Sequence, residues 1–281
     1  MPGPTNTGPT DPNSLTVNNG SMTVTTPGAV IQNLEILGVL TIEAPNVTVN
    51  NCLINPEGAD QGGGCALMIQ SGANNVTIEN TTVTGTCGQG TAIYTGGDGN
   101  VISHVQIYNT GSQGIRVAGS VTIENCWFYE MGWNATGIAS NPLVPGFNGT
   151  AHDNDIFIER GASIVIQNNN FDTPNETVNG ITYENYTAIF QDPFDSTDVI
   201  GGVLIKNNYI NNAGYMFYLM GQGTTQIVDN ILVSQPVGPL VNYSAYISGG
   251  YIGAPWIWSG NVDGGGNAIA IPTGLPVAGT T

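Results

Sequence analysis

Acidic side chains carry nearly all of the reactive chemistry this sequence offers. Twenty Asp and Glu stand against three basic residues, Arg116, Arg160 and Lys206, and two histidines. His152-Asp153-Asn154-Asp155 sets an imidazole beside carboxylates, the material of a general base or a metal ligand. A polar loop bonding its own backbone uses the same residues. Asp192, Asp195 and Asp198 crowd three carboxylates into the string Asp-Pro-Phe-Asp-Ser-Thr-Asp. That suits a calcium ion, although the spacing is not that of an EF-hand loop. Aligning Asp155-Ile156-Phe157-Ile158-Glu159 with Ala188-Ile189-Phe190-Gln191-Asp192 stacks Phe157 on Phe190 and sets Glu159 beside Asp192, if the two segments are neighbouring strands. Like charges so placed need a bridging cation, a shared proton or divergence into water. The shared proton is the arrangement of a glycosidase pair. A cation is the expectation here, because basic side chains are so few. The catalytic candidates are therefore Glu159, Asp192, His152 and Asp155, and the metal candidates Asp192, Asp195 and Asp198, with no cofactor required beyond that calcium.

The elements that must hold these residues repeat. Asn75-Val76-Thr77-Ile78-Glu79-Asn80-Thr81-Thr82-Val83 is the clearest copy of a phrase that recurs around Asn125, Asn168 and Asn207. Looser copies end on Asn33, Asn51 and Asn230, and one carries His104. Apolar residues two apart are strand periodicity, and the Asn that follows is a turn residue. Successive positions 33, 51, 80, 104, 125, 168, 207 and 230 differ by 18, 29, 24, 21, 43, 39 and 23. Strand-only repeats of that size predict a parallel β-helix. The first two coils superpose at an offset of 18: Met22 on Leu40, Val24 on Ile42, Ile31 on Val49, Ile36 on Ile54. The expectation is an all-β chain: an arm at 1–14, one right-handed parallel β-helix over 15–262 with loop insertions and a C-terminal cap, and a Gly/Pro-rich tail at 263–281. Insertions fall near 132–154 and 173–187, with a further loop at 192–201, where function concentrates on a regular solenoid. Asn80, Asn125, Asn168 and Asn207 are expected to be buried and bonded to one another as a structural ladder.

Residues two and four after each Asn share one outward face. Tyr108, Trp127, Tyr129 and Tyr209 are thus expected to form an exposed aromatic strip that contacts glycan or another subunit. Cys52 and Cys126 share a place in the phrase but lie three coils apart. Cys65 and Cys87 open neighbouring coils, where a bridge between them is an open alternative.

A formal charge of −17 excludes nucleic acid and anionic membranes as partners, since nothing could neutralise phosphates. The strings of pectate lyases and polygalacturonases are absent. Met1-Pro2-Gly3-Pro4 does not read as a signal peptide.

His152 with Ile156, Gly161-Ala162-Ser163-Ile164, Gln167-Asn168-Asn169, Thr187-Ala188-Ile189-Phe190, Val203 to Asn208, Ala213-Gly214-Tyr215 and Trp258-Ser259-Gly260-Asn261 resemble a right-handed parallel β-helix family of the pectin-lyase-like superfamily. Its members occur in actinobacterial secreted proteins and in tail proteins of phages infecting those bacteria. The resemblance covers roughly residues 20–262. In that family an Asp usually follows the His by two; here the place is Asn154, between Asp153 and Asp155. The resemblance implies a virion surface protein, a tail spike, fibre or decoration subunit, contacting host cell-wall polysaccharide and other virion proteins, with a homotrimer as the expected assembly. The alternatives are a secreted extracellular polysaccharide hydrolase or lyase and a purely structural decoration protein.

Overall fold

The structure, a computed structural model, describes residues 1–56, 64–84, 90–131, 154–174, 176–178, 181–183, 185–193, 195, 197–212, 215–221, 223–233, 241–242 and 256–271. His152, Cys87 and most of the 132–154 insertion lie outside them. Within the coil every inter-strand pairing is parallel, and each coil contributes one short strand to each of three faces. The first face is a ten-stranded sheet from Thr16–Asn18 to Val262–Asp263. The second and third faces form a 17-stranded sheet, joined where the long strand Asn154–Gln167 crosses from one to the other. The 18-residue offset holds residue by residue: Met22 pairs with Leu40, Val24 with Ile42, Ile31 with Val49 and Ile36 with Ile54.

Alternation within each short strand sends every second side chain inward, where like stacks on like. Ile54, Val83, Ile107, Phe128, Phe171 and Ile210 form one such column, each fully buried. Ile78, Ile102, Ile123, Ile166, Ile205 and Ile227 form another. Each side chain contributes roughly 1.5–3 kcal/mol of burial, and each coil covers the apolar face of the one before, as a solenoid requires.

The Asn phrase makes the corner between third and first faces, but not as an interior ladder. Asn33, Asn51, Asn80, His104, Asn125, Asn168, Asn207 and Asp229 all adopt left-handed backbone, with φ between 46° and 58°, and Gly260 takes the ninth corner at 66°. A left-handed residue turns the chain and leaves its own side chain outside; Asn80, Asn125 and Asn168 are half-buried and Asn207 is exposed. The expectation that these four are buried is therefore corrected by one residue. Asn169, Asn208, Asn230 and Asn261 point inward and are 0–2% exposed. Each side-chain oxygen accepts from the backbone N–H one coil earlier: Cys126 to Asn169 (2.9 Å), Asn169 to Asn208 (2.9 Å), Asn208 to Asn230 (2.9 Å) and Asn230 to Asn261 (3.0 Å). Each amide nitrogen donates to a strand carbonyl, at Ile123, Ile166, Ile205 and Ile227. The corner residue of the Asn230 copy is accordingly Asp229, and Asn230 belongs to the interior series. Cys52 and Cys126 stand in the same interior column and are buried free thiols; Cys65 is also free.

Residues 1–10 lie back along the first face. Thr10 N–H donates to Asn51 (2.8 Å) and Gly8 N–H to His104 O (2.9 Å). Gln106 donates to Thr7 O (3.0 Å) and Asn170 to Pro2 O (2.9 Å). Gly8 has φ +74°, and a Cβ there would meet Thr82 Oγ1 at 2.6 Å, so only glycine fits. Of the insertions, 176–183 supplies an antiparallel pair, Glu176–Val178 with Ile181–Tyr183.

Candidate functional site

The second face carries the site. Its strands place Met68, Tyr94, Arg116, Phe157, Phe190 and Tyr218 in one outward column, one residue per coil. The predicted Phe157–Phe190 stack is present, with ring centroids 5.4 Å apart, and Phe190 continues onto Tyr218 at 4.7 Å. Arg116 lies between rings, 5.9 Å from the Tyr94 centroid and 5.8 Å from that of Phe157, within cation–π range. Tyr215 meets Tyr218 edge-on at 6.2 Å and Tyr186 meets Tyr215 at 5.5 Å. Because Phe157 and Phe190 stack on one another, the column presents ring edges and phenol hydroxyls rather than open faces.

Glu159 sits two residues beyond Phe157. At Val117/Ala118 the pairing with Asn154–Gln167 slips by one, so that Ala118 faces Arg160. This bulge re-aims the side chains that follow and gathers three ion pairs. Arg116 Nε donates to Glu159 Oε2 at 2.8 Å, while Arg160 Nη1 reaches Glu159 Oε1 at 3.4 Å and Asp198 Oδ1 at 3.1 Å. The carboxylates are the buried partners, with side chains 8% and 5% exposed; the guanidiniums are 32% and 40% exposed. The hydrogen bond that Arg160 donates to Asp198 further secures the charge on Arg160, and Arg160 Nε also donates to Ala118 O at 3.2 Å. Where the sequence led to the expectation of a bridging cation, two of the chain's three basic side chains meet Glu159.

Asp192 follows on the next coil, where its N–H donates to Ile158 O at 2.9 Å. It is half-buried, and burial pushes its carboxyl above the ordinary range. Glu159 and Asp192 therefore do lie on adjacent rungs. The other two acids of that loop point elsewhere. Asp198 turns inward to Arg160, and its second oxygen accepts from Asp195 N at 3.2 Å. Asp195 is exposed and accepts from Thr197, whose hydroxyl and N–H hold its carboxyl below the usual range. Among the described residues no three His, Cys, Asp or Glu are grouped to hold a metal ion. Asp155 stands near the start of the same strand but is not on the exposed face. It is buried in the interior, accepting from Asn185 at 2.7 Å and Thr173 at 3.0 Å.

The first-face strip is only partly assembled. Tyr108 stacks on Tyr129 at 4.8 Å and Trp127 on Tyr129 at 3.8 Å. Tyr209 shares the Trp127 column, but Asn170 stands between them. All four are half-buried rather than exposed. Trp127 Nε1 is buried without a hydrogen-bond partner, on the rung between the two, Gln106 and Asn170, that anchor the N-terminal segment. The Asn phrase led to this face rather than to Tyr94 and Tyr218, and it left Arg116 and Arg160 as scarce basic residues without a place. The available signal was one outward residue after each inward Ile or Phe: Ile93-Tyr94, Ile115-Arg116, Ile156-Phe157, Ile189-Phe190, Phe217-Tyr218.

A family model described as a right-handed beta helix region matches residues 91–251, more than half of the chain. No curated protein and no solved structure matches.

Proposed function

The chain belongs to the right-handed β-helix family, and from that premise we propose that it is a polysaccharide-contacting protein whose second face is the contact surface. The fold is compatible with phage tail or surface proteins and with polysaccharide-acting proteins alike. One observation carries the reading. Arg116, Glu159, Arg160 and Asp198 join in three ion pairs on the face that carries Tyr94, Phe190 and Tyr218, with Asp192 on the next rung, in a chain with only 23 charged side chains (3 + 20). Convergent polar groups beside aromatic surface are the make-up of a ligand site, and carboxylates, guanidiniums and phenols are the groups that bond sugar hydroxyls. The setting we propose is the virion surface of an actinobacterial phage, as a tail or decoration subunit in homotrimeric form, with host cell-wall glycan and other virion proteins as partners. That part rests on the sequence resemblance. Finding the protein in purified virions, with a trimer by light scattering and sedimentation of the chain with host walls, is the expected result. Walls that leave the chain in solution overturn the contact, and absence from virions overturns the setting.

A second reading, glycoside hydrolysis, is favoured by Glu159 and Asp192. An ion-paired carboxylate beside one whose protonation is favoured by burial is the division of labour of acid and base in that chemistry. Release of reducing ends that disappears in both Glu159→Gln and Asp192→Asn would establish it; no release from walls that bind the protein removes it.

A further inference from the structure

Resting on the glycan reading, we infer that the second face selects an uncharged polysaccharide, lying along the rod axis. Charge is the determining observation. Arg116 and Arg160 are paired with Glu159 and Asp198, and Asp192 adds a third carboxyl, so the site counts two positive groups against three acidic ones. The third basic residue, Lys206, lies on the third face, paired in register with Gln167 and Val228. Among the described residues no cation remains to neutralise a uronate, sulfate or phosphate group, and the chain as a whole carries −17. An anionic glycan would be repelled at long range and would meet guanidiniums already neutralised at contact.

The same pairs suit hydroxyl groups. A guanidinium fixed by carboxylates keeps outward N–H donors in a rigid plane, and the half-buried Asp192 adds a carboxyl on the next rung. Orientation follows from the column. Tyr94, Arg116, Phe157, Phe190 and Tyr218 occupy five successive coils, at a spacing of about 4.8 Å, close to the rise of one sugar in an extended chain. A linear glycan laid along the axis thus meets phenol hydroxyls at Tyr94 and Tyr218, with the Arg116 guanidinium and the Phe190 ring on coils between them.

The test uses the full chain in native gels containing actinobacterial cell-wall polysaccharide, split by anion exchange into an uncharged and an acidic pool. Retardation by the uncharged pool alone is expected, with affinity changing less than about twofold between 0.05 and 0.5 M NaCl. Tyr218→Ala should lose at least about tenfold, while Gln226→Ala on the third face should lose nothing. Glu159→Gln removes the carboxylate that neutralises Arg116 and should gain retardation by the acidic pool. Retardation of the unaltered chain by the acidic pool, abolished by Tyr218→Ala, overturns the charge selection and leaves the glycan reading standing. Retardation by the uncharged pool that Tyr218→Ala does not weaken overturns the second face as its site. No retardation by either pool overturns the glycan reading itself, and this inference with it.

Discussion

Two adjacent residues at each corner obey different physics, and substitution separates them. Asn208 accepts from Asn169 N–H and donates to Ile166 O in a fully buried column. Asn208→Leu strands both groups and should cost about 1–3 kcal/mol in urea unfolding. Its neighbour Asn207 is exposed at φ 54°. There Asn207→Gly should change stability by less than about 0.5 kcal/mol, whereas Asn207→Val, which resists left-handed backbone, should cost about 1–2 kcal/mol. Equal losses at Asn208→Leu and Asn207→Val, with a matching loss at Asn207→Gly, would mean that the two columns are misassigned. The repeat was legible because Asn marks each turn. Which Asn enters the core was not, because a left-handed turn residue inverts the in–out alternation that strands obey. The doublets Asn168-Asn169 and Asn207-Asn208, followed by Asp229-Asn230 and Gly260-Asn261, held the distinction: the first of each pair turns, the second is buried.

At the level of strands, the second face depends on Asn154–Gln167 and the slip in its pairing. Glu159→Gln leaves Arg116 and Arg160 facing a neutral amide. Since the two arginine side chains are 32% and 40% exposed, water offsets part of the loss, and a fall of about 1–2 kcal/mol is expected. Asp192→Asn should act in the opposite direction. Burial raises its folded pKa above the ordinary 3.8, so the folded state holds the proton more tightly than the unfolded chain. Stability attributable to this group therefore falls as pH rises from 3.8 through the folded value, and stays low at neutrality. Asp192→Asn should melt higher than the unaltered protein at pH 7 and show a flatter melting profile above pH 4. A lower melting temperature at pH 7 would indicate an uncounted partner. The adjacency of Glu159 and Asp192 could be read from aligned strings. The arginine partner of Glu159 could not, because Arg116 lies 43 residues before it, across a long insertion, and a one-residue bulge decides which side chains meet.

For the whole molecule, the charge of −17 sets self-repulsion against a stack of parallel coils. Raising NaCl from about 10 to 150 mM should raise the melting temperature by screening. Calcium and magnesium at equal ionic strength should act alike; a rise peculiar to calcium would restore the Asp192, Asp195 and Asp198 cation site. The N-terminal segment fastens rungs from Asn51 to Asn170, so Gly8→Ala should loosen it and shift tryptophan emission as Trp127 meets water. The family match and the interval arithmetic agree because a solenoid writes its period directly into the chain, whereas the segment folded back over the first face has no period to read. The interior asparagines also impose an order on synthesis. Each backbone N–H from Cys126 to Asn230 waits for an oxygen supplied by the coil made after it. A nascent chain halted after Asn208 would therefore expose a donor that nothing yet translated can satisfy. In the early coils Cys52 N–H waits in the same way for Thr81 Oγ1, whereas Val105 brings no such oxygen to that place. The C-terminal half must leave the ribosome before its own spine can close.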